Sequence, residues 1–278
     1  MVGIVLILGI AALVLQPQTM SQGGSVSMLD IGQGDSFLIQ AANGAQLLID
    51  GGRDAKVLSE LAKVMPAGDR SIDVVIATHP DADHIGGLPL VLERYKVGLF
   101  LTSQVTTDTQ VFKDLYKTIA QKNIPAYYVR SGMTLSLDPA THTALSILFP
   151  DRDTSGWETN TASVVARLDI GTASALFTGD SPSSIEKYLI KKEPSRIDVD
   201  ILKLGHHGSK NSSSAEFLEA TSPTLALISA GVNNKYGHPH KEVIDLLAKL
   251  HIPYVSTQMS GTVTLRTDGV SWKTQSEK

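Results

Sequence analysis

Three apolar runs of strand length break off into acids and imidazoles, and no other feature constrains the fold of this chain as tightly. Ile72, Val74, Val75 and Ile76 lead into "ATHPDADHIGG" at residues 77–87. Residues 175–180, "ALFTGD", end on an aspartate after a glycine, and residues 200–209, "DILKLGHHGS", deliver two histidines. In extended backbone, residues two apart point the same way, so His79, Asp81 and Asp83 are expected to converge as a strand runs out, with His84 joining as the chain turns. Gly86 and Gly87 then let the backbone pass close to a site and begin a helix. Carboxylates and imidazoles at this density repel or desolvate badly unless a cation sits among them. For any one segment a solvated turn is the competing reading. Three strand ends with the same chemistry make one polynuclear metal site the simplest account.

The rest of the chain supplies elements to carry such a site. Short apolar runs at residues 26–29, 37–39, 46–49, 74–77, 144–149, 163–168, 173–178, 199–204, 225–229, 262–266 and 271–273 read as strands. Helix-like stretches fall between them at residues 55–65, 88–95, 110–122, 183–192, 214–220 and 242–250, with Pro89 and Pro182 where a first helical turn tolerates proline. This alternation predicts sheets covered by helices, an α+β chain, with residues 25–278 as one domain. The net charge of −4 provides no overall basic field for nonspecific nucleic-acid binding, so any such contact must be local. The absence of cysteine removes disulfides, thiolate zinc sites and cysteine nucleophiles together.

The first residues differ from everything that follows. Residues 2–15 carry no charge, and the first basic residue of the chain is Arg53. The run is shorter than the roughly 20 residues of a membrane-spanning helix but within the length of a signal-peptide apolar region. No lysine or arginine precedes it, and no clean small-x-small cleavage site follows. A membrane anchor, a cleaved signal and a buried element therefore all stand, as does a start inside the last membrane helix of a longer polypeptide. Residues 1–24 are taken as this hydrophobic segment plus a polar linker. In every membrane-related case the globular part lies next to a membrane or beyond it.

The order HxDxDH, TGD, HHGS resembles the metallo-β-lactamase fold superfamily. More narrowly, "MLDIGQGDSFLIQ", "LLIDGG", "THPDADHIGG", "FTGD", "LKLGHHGS" and "SAGVNNKYGHPH" together resemble the C-terminal hydrolase domain of the ComEC-like DNA-internalisation competence proteins, from about Val26 to the end. The resemblance implies a four-layer αββα sandwich with a dinuclear metal site at one edge. It implies that His79 and Asp81 hold one divalent ion, that Asp83 and His84 hold a second, and that Asp180 bridges them. His207 would complete the second position, with His206 as the alternative or as a group behind the ligands. Two departures stand out: Asp81 replaces a usual histidine, and the histidine expected before the bridging aspartate is missing. There the chain has "TNTAS" at residues 159–163, and His142 is the one histidine in that region. The first position would then be weak, completed by substrate phosphate, or filled by a harder ion. Carboxylate in place of imidazole moves preference from zinc toward manganese or magnesium, although zinc stays possible.

The resulting expectation is a metal-dependent phosphodiesterase or nuclease acting on DNA outside the cytoplasm, in competence-type uptake beside separate channel proteins. Asp83 could also accept the proton of the attacking water. The segment "GVNNKYGHPH", residues 231–240, offers Asn233, Asn234, Lys235, Tyr236 and His238 to phosphate oxygens, and His238 could protonate a leaving alkoxide. Lys203 is carried as a further catalytic candidate, with Ser209 beside it. Asp35, with Ser36 near the site mouth, and Asp50 read first as turn residues. A stripe of Lys187, Lys191, Lys192 and Arg196 could guide a polyanion, although such a run is usually a solvated helix face. Hydrolysis of a small ester or lactone, and a DNA-binding module without turnover, are the competing functions.

Overall fold

The computed structural model describes residues 23–276. The first sheet takes β1 (Gly24–Met28), β2 (Phe37–Ala41), β3 (Gln46–Ile49), β4 (Ser71–Ala77), β5 (Lys96–Thr102) and β6 (Ala126–Tyr128). The second takes β7 (Thr134–Asp138), β8 (Thr143–Phe149), β9 (Val165–Ile170), β10 (Ala173–Phe177), β11 (Ile201–Lys203), β12 (Leu225–Ile228) and β13 (Tyr254–Ser256). The chain then returns to the first sheet with β14 (Val263–Thr267) and β15 (Trp272–Ser276). Strand order is β15-β14-β1-β2-β3-β4-β5-β6 in one sheet and β13-β12-β11-β10-β9-β8-β7 in the other. In each sheet an antiparallel part gives way to a parallel one, β3 to β6 and β10 to β13.

Parallel neighbours need crossover segments. These hold α1 (Lys56–Val64), α2 (Ala82–Ile85), α3 (Leu88–Arg94) and α4 (Gln110–Gln121) on the first sheet. On the second they hold α5 (Ser183–Lys192), α6 (Pro194–Ile197), α7 (Ala215–Thr221) and α8 (Lys241–Lys249), with the single turn α9 (Thr257–Ser260) after β13. Side-chain alternation then sorts three apolar layers. Leu47, Ile49, Val74, Ile76, Ala175, Phe177 and Ile201 face the space between the sheets. Their neighbours Leu48 and Val75 face outward onto α1, α3 and α4. Leu176 and Leu202 do the same toward α5, α7 and α8. The result is the expected helix–sheet–sheet–helix stack.

The predicted helix at 183–192 and strand at 46–49 match residue for residue, and the other predicted elements appear with shifted ends. β5, β6, β7 and β13 were not anticipated. Gly98 interrupts the run of β5, and all three residues of β6 are exposed at a sheet edge, so neither carries an apolar alternation. Gly24, expected in the linker, pairs in β1. The predicted N-terminal anchor or signal segment lies outside the described residues. Among the described residues no helix is long and apolar enough to cross a membrane.

The two sheets are joined most visibly by an edge-to-face pair of Phe37 and Phe177, ring centroids 5.3 Å apart and both fully buried. Truncation of Phe37 to alanine removes that contact and leaves a void, and is expected to lower stability by about 3–5 kcal/mol, read as a lower urea midpoint at unchanged slope.

Candidate metal centre

The C-terminal ends of the central parallel strands meet at one edge of the sandwich, the usual place for a ligand site in such sheets. β4 delivers His79, β10 delivers Asp180 and β11 delivers His206 and His207. Asp180 is the hub. Its Oδ2 lies 3.3 Å from His84 Nε2, 3.4 Å from His207 Nε2, 3.7 Å from His206 Nε2 and 4.0 Å from His79 Nε2. Asp81 stands 3.8 Å from His79 Nε2, and Asp83 stands 3.6 Å from His207 Nε2. The structure thus brings together every residue expected as a ligand.

Local structure differs from the expectation for 79–84. Asp81 caps α2, its carbonyl accepting from the amides of His84 and Ile85, so Asp83 and His84 sit on a helical turn rather than in extended chain. The two glycines that follow are required by close backbone packing: a Cβ on Gly87 would lie 2.2 Å from the carbonyl oxygen of Gly51. His206 and His207 both adopt left-handed backbone, φ 48° and 56°, followed by Gly208 at φ 80°. For a non-glycine residue that conformation costs about 1–2 kcal/mol, and here it turns both imidazoles toward Asp180. His207 had been favoured over His206 as the ligand; the fold instead presents both.

The outer nitrogens of His84 and His79 are hydrogen-bonded from behind, and that of His207 faces a carboxylate. His84 Nδ1 donates to Asp50 at 2.8 Å. The hydroxyl of Thr78 donates to Asp50 at 2.7 Å and so accepts from His79 Nδ1 at 3.0 Å. His207 Nδ1 faces Asp35 Oδ1 at 3.3 Å. The Nε2 atoms of His79, His84 and His207 are buried without a hydrogen-bond partner, as is Asp180 Oδ1. Buried polar atoms of this kind are normally paired, and a ring of imidazole nitrogens around a carboxylate, once deprotonated, is the donor set of a divalent transition-metal site. Asp35, His84, Asp180 and His207 also form a compact potential ligand group. Asp35, however, contacts the outer nitrogen of His207 and the ammonium of Lys203, so it acts as a support behind the imidazoles. Asp35 and Asp50, read in the sequence as turn residues, are buried carboxylates that orient histidines. Their only sequence signal is a position beside a strand end.

Lys203, carried as a catalytic candidate, is 1% exposed and lies beneath the cluster, against Asp35, the carbonyl of Gly179 and Asp180 Oδ1. It is a buried counter-charge that does not line the cavity over the cluster. Burial pushes its pKa down, but Asp35 and Asp180 outweigh this and hold it above the usual lysine range. Burial likewise favours neutral Asp180, yet His207, His84 and Lys203 keep it well below the carboxylate range. His84 is pushed down by burial and raised further by Asp180 and Asp50, to well above the ordinary histidine value. His207, with the same opposition, is raised to about 9. His79 is depressed by burial and by neighbouring His84.

A cavity of about 140 Å³ opens over the cluster, lined by Asp81, Asp83, Asp180, His206, His207, Gln33, Tyr236 and His238. A larger hollow of about 420 Å³ near Arg94 and Lys122 brings together no such acids and imidazoles. The rim loop is braced by Asn234, whose amide donates to the carbonyls of Gly231 and His238 and whose Oδ1 accepts from the amides of Tyr236 and His238. Asn234 is therefore a structural brace and not a phosphate contact. Tyr236 stacks on His238 at 5.7 Å, and Lys235 lies 5.0 Å from the Tyr236 ring centroid. Burial and the neighbouring imidazoles of His207 and His206 depress His238 to about 4, so it is neutral near pH 7. Ser229 Oγ donates to the carbonyl of Gly34, tying this rim to the loop that holds Asp35. His142 caps a short turn beside β8 at the other end of the sandwich, next to Gly171, and takes no part.

Residues 29–232 match the metallo-beta-lactamase superfamily, and the chain belongs to it. Within that superfamily it is ComEC-like. It is 31% identical over 264 residues to ComE operon protein 3 of Bacillus subtilis, covering 89% of this chain and 33% of that protein. It is 28% identical to competence protein ComA of Neisseria gonorrhoeae, covering 86% and 32%, and 28% identical to recombination protein 2 of Haemophilus influenzae, covering 86% and 28%. The chain thus spans about a third of the length of these relatives. Among solved structures, the metallo hydrolase Igni18 of Ignicoccus hospitalis shares the fold at TM-score 0.57 and 15% identity, covering 87% of this chain and 99% of that one. The diiron β-hydroxylase CmlA of Streptomyces venezuelae does so at TM-score 0.60 and 16% identity, covering 91% and 55%. The chain is a metal-dependent hydrolase of this superfamily by fold and by its donor cluster.

Two measurements check the cluster. Asp50→Asn keeps the size of the side chain and tolerates its positive φ, but no longer offers the carboxylate to His84 and Thr78. Metal affinity by titration calorimetry is expected to fall about 10–100-fold with the fold retained. Between pH 6.5 and 9 the folded, chelator-treated protein keeps protons on His84 and His207 that the unfolded chain has released. Its stability must then fall as pH rises through that window. A melting temperature lower by about 5 °C at pH 9 than at pH 6.5 is expected in chelator, with a smaller drop in His207→Ala.

Proposed function

We propose that this chain is a metal-dependent phosphodiesterase that cleaves DNA, with single-stranded DNA as its substrate, in competence-type DNA uptake outside the cytoplasm. The observation that carries the reading is the Asp180 carboxylate ringed by four imidazoles and flanked by Asp81 and Asp83 at the floor of an open cavity. His79, Asp81, Asp83, His84, Asp180, His206 and His207 would hold one or two divalent ions, zinc or manganese. Such ions, when bound, supply Lewis acidity and lower the pKa of water.

The chain's own groups do the rest. Asp83 keeps its carboxylate charged, because the neighbouring imidazoles of His207 and His84 outweigh its partial burial, and it stands where it can accept the proton of an attacking water. Neutral His238 offers a hydrogen bond to a phosphate oxygen, and it serves as the leaving-group acid only once a phosphate anion raises its pKa. Tyr236, 45% exposed on the rim, offers an aromatic face to an unpaired base. The names of the relatives support DNA as the polymer. The N-terminal apolar run supports attachment to a membrane near the uptake channel. β1 enters the sheet with Gly24 opposite Ala41, the end remote from the cluster, so a domain tethered there presents its cavity away from the tether.

The test uses labelled single-stranded DNA and bis(p-nitrophenyl) phosphate, each with manganese, magnesium or zinc after chelation. Cleavage is expected with at least one ion and none in chelator. Asp180→Ala and His84→Ala each remove several kcal/mol of transition-state stabilisation, a loss of about 1000-fold or more. Absence of cleavage with every ion, while DNA binding persists, would instead make the domain a non-catalytic DNA-binding module.

A further inference from the structure

We infer that the end of the sandwich opposite the metal cluster docks on a membrane surface carrying anionic phospholipid, through a cationic hollow formed by Arg70, Arg94, Lys96 and Lys122. The inference rests on the membrane attachment in the reading above and not on the substrate or the chemistry. The hollow encloses about 420 Å³. Arg70 precedes β4 and Lys96 begins β5, the amide of Lys96 donating to the carbonyl of Arg70 at 2.7 Å. Arg94 ends α3 and Lys122 follows α4. Helix C-termini favour the last two cations, but nothing in strand pairing calls for the first two. All four are exposed, and among the described residues none of them enters an ion pair or a side-chain hydrogen bond. Glu93 is the acid that lines the hollow with them, also exposed, so four cations against one carboxylate leave the group strongly positive.

Position selects the partner. β4 and β5 run toward the cluster, so Ser71 and Lys96, paired with one another at the strand starts, lie at the far end. Gly24 lies at that same end: it pairs with Ala41, β2 hands over to β3 there, and the amide of Gln46 donates to Asp73 in β4. Only β2 and β3 separate β1 from β4, a span of about 15 Å at the usual strand spacing. The uncharged run at residues 2–15 is joined to Gly24 by residues 16–23, which reach at most about 30 Å. A membrane holding that run therefore lies within reach of the hollow, and its phosphates are the anions that this end meets, whereas a DNA strand has its chemistry at the other end. The second sheet ends here in Asp138, Asp169, Asp198 and Asp200, each of them engaged: by the amides of Asn43 and Ala140, by Arg167, by Ser222 and by Ser174. Their charge opposes an anionic surface, so contact falls on the side of α3 and α4 with the second sheet tilted away. Exposed cations of this kind act through the surface potential and are screened by salt.

The experiment uses the full chain on vesicles of phosphatidylcholine, alone or mixed with phosphatidylglycerol. The chain contains no cysteine, so Gln121→Cys beside Lys122 and Val232→Cys on the rim loop each give a single attachment point for a fluorophore. Flotation reads attachment, and a lipid with a spin-labelled headgroup quenches any fluorophore held at the surface. The chain is expected to float with both lipids. The probe at position 121 is expected to be quenched several-fold more with phosphatidylglycerol than without it, and to lose that excess at about 1 M salt, while the probe at position 232 stays bright. Arg70→Gln, Arg94→Gln, Lys96→Gln and Lys122→Gln combined should abolish the excess with flotation and melting temperature unchanged. Equal quenching with the two lipids, quenching that survives the four glutamines, or equal quenching at position 232 would each overturn the docking surface. So would a response of the position 121 probe to single-stranded DNA that the four glutamines remove, since the hollow would then be a path for the polymer. Flotation with both lipids and no excess quenching would sink the docking surface and leave the tether standing. Flotation and quenching only with phosphatidylglycerol would do the reverse.

Discussion

The carboxylate of Asp180 organises this protein because its two oxygens face different partners. One looks into a ring of imidazoles and the other onto the ammonium of Lys203. A buried carboxylate is tolerated only when paired and hydrogen-bonded, and those partners arrive from strand ends far apart in sequence. Their convergence fixes which edge of the sandwich carries the chemistry. Metal-free, the charge is balanced by Lys203 and by protons held on His84 and His207. Metal ions would displace those protons, so metal binding, proton release and folding are linked at this edge.

The acidic residues divide by position. Asp35 and Asp50 stand behind the histidines and fix which ring nitrogen points inward, Asp50 reaching His79 through Thr78. Asp81 and Asp83 line the cavity and remain accessible to ions and water. Lys203 belongs with the first group, since it compensates Asp35 and Asp180 without reaching the opening. The supports need no solvent, whereas the cavity-facing groups must exchange ions, water and substrate.

This division shows what the sequence could and could not reveal. Apolar runs and their abrupt acidic or imidazole ends made helix-covered sheets and a metal-type cluster legible, because period and residue type are local properties, while the two-sheet stack and the seven candidate ligands followed from the family resemblance of the motifs. Asp35 and Asp50 were misread, since a carboxylate after a strand looks the same whether it caps a turn or supports a histidine across 34 residues of chain. Lys203 was misread for a related reason: a lysine near a site suggests phosphate contact until burial is known. The left-handed turn at His206 was invisible, because histidine there carries no glycine-like signal. β6 and β13 escaped as short strands with exposed or half-buried residues, held by neighbours rather than by their own pattern.

The candidate ligands also differ in access. Asp81 and His206 are partly exposed at the cavity mouth, while His79, His84 and His207 are sealed beneath. Carboxylate in place of imidazole favours a harder ion, so the ligand that most favours such an ion, Asp81, is also among those most open to solvent. A phosphate group entering the cavity would meet Asp81 and His206 before it met the sealed imidazoles, and any ion held by those two residues would be the one most exposed to exchange.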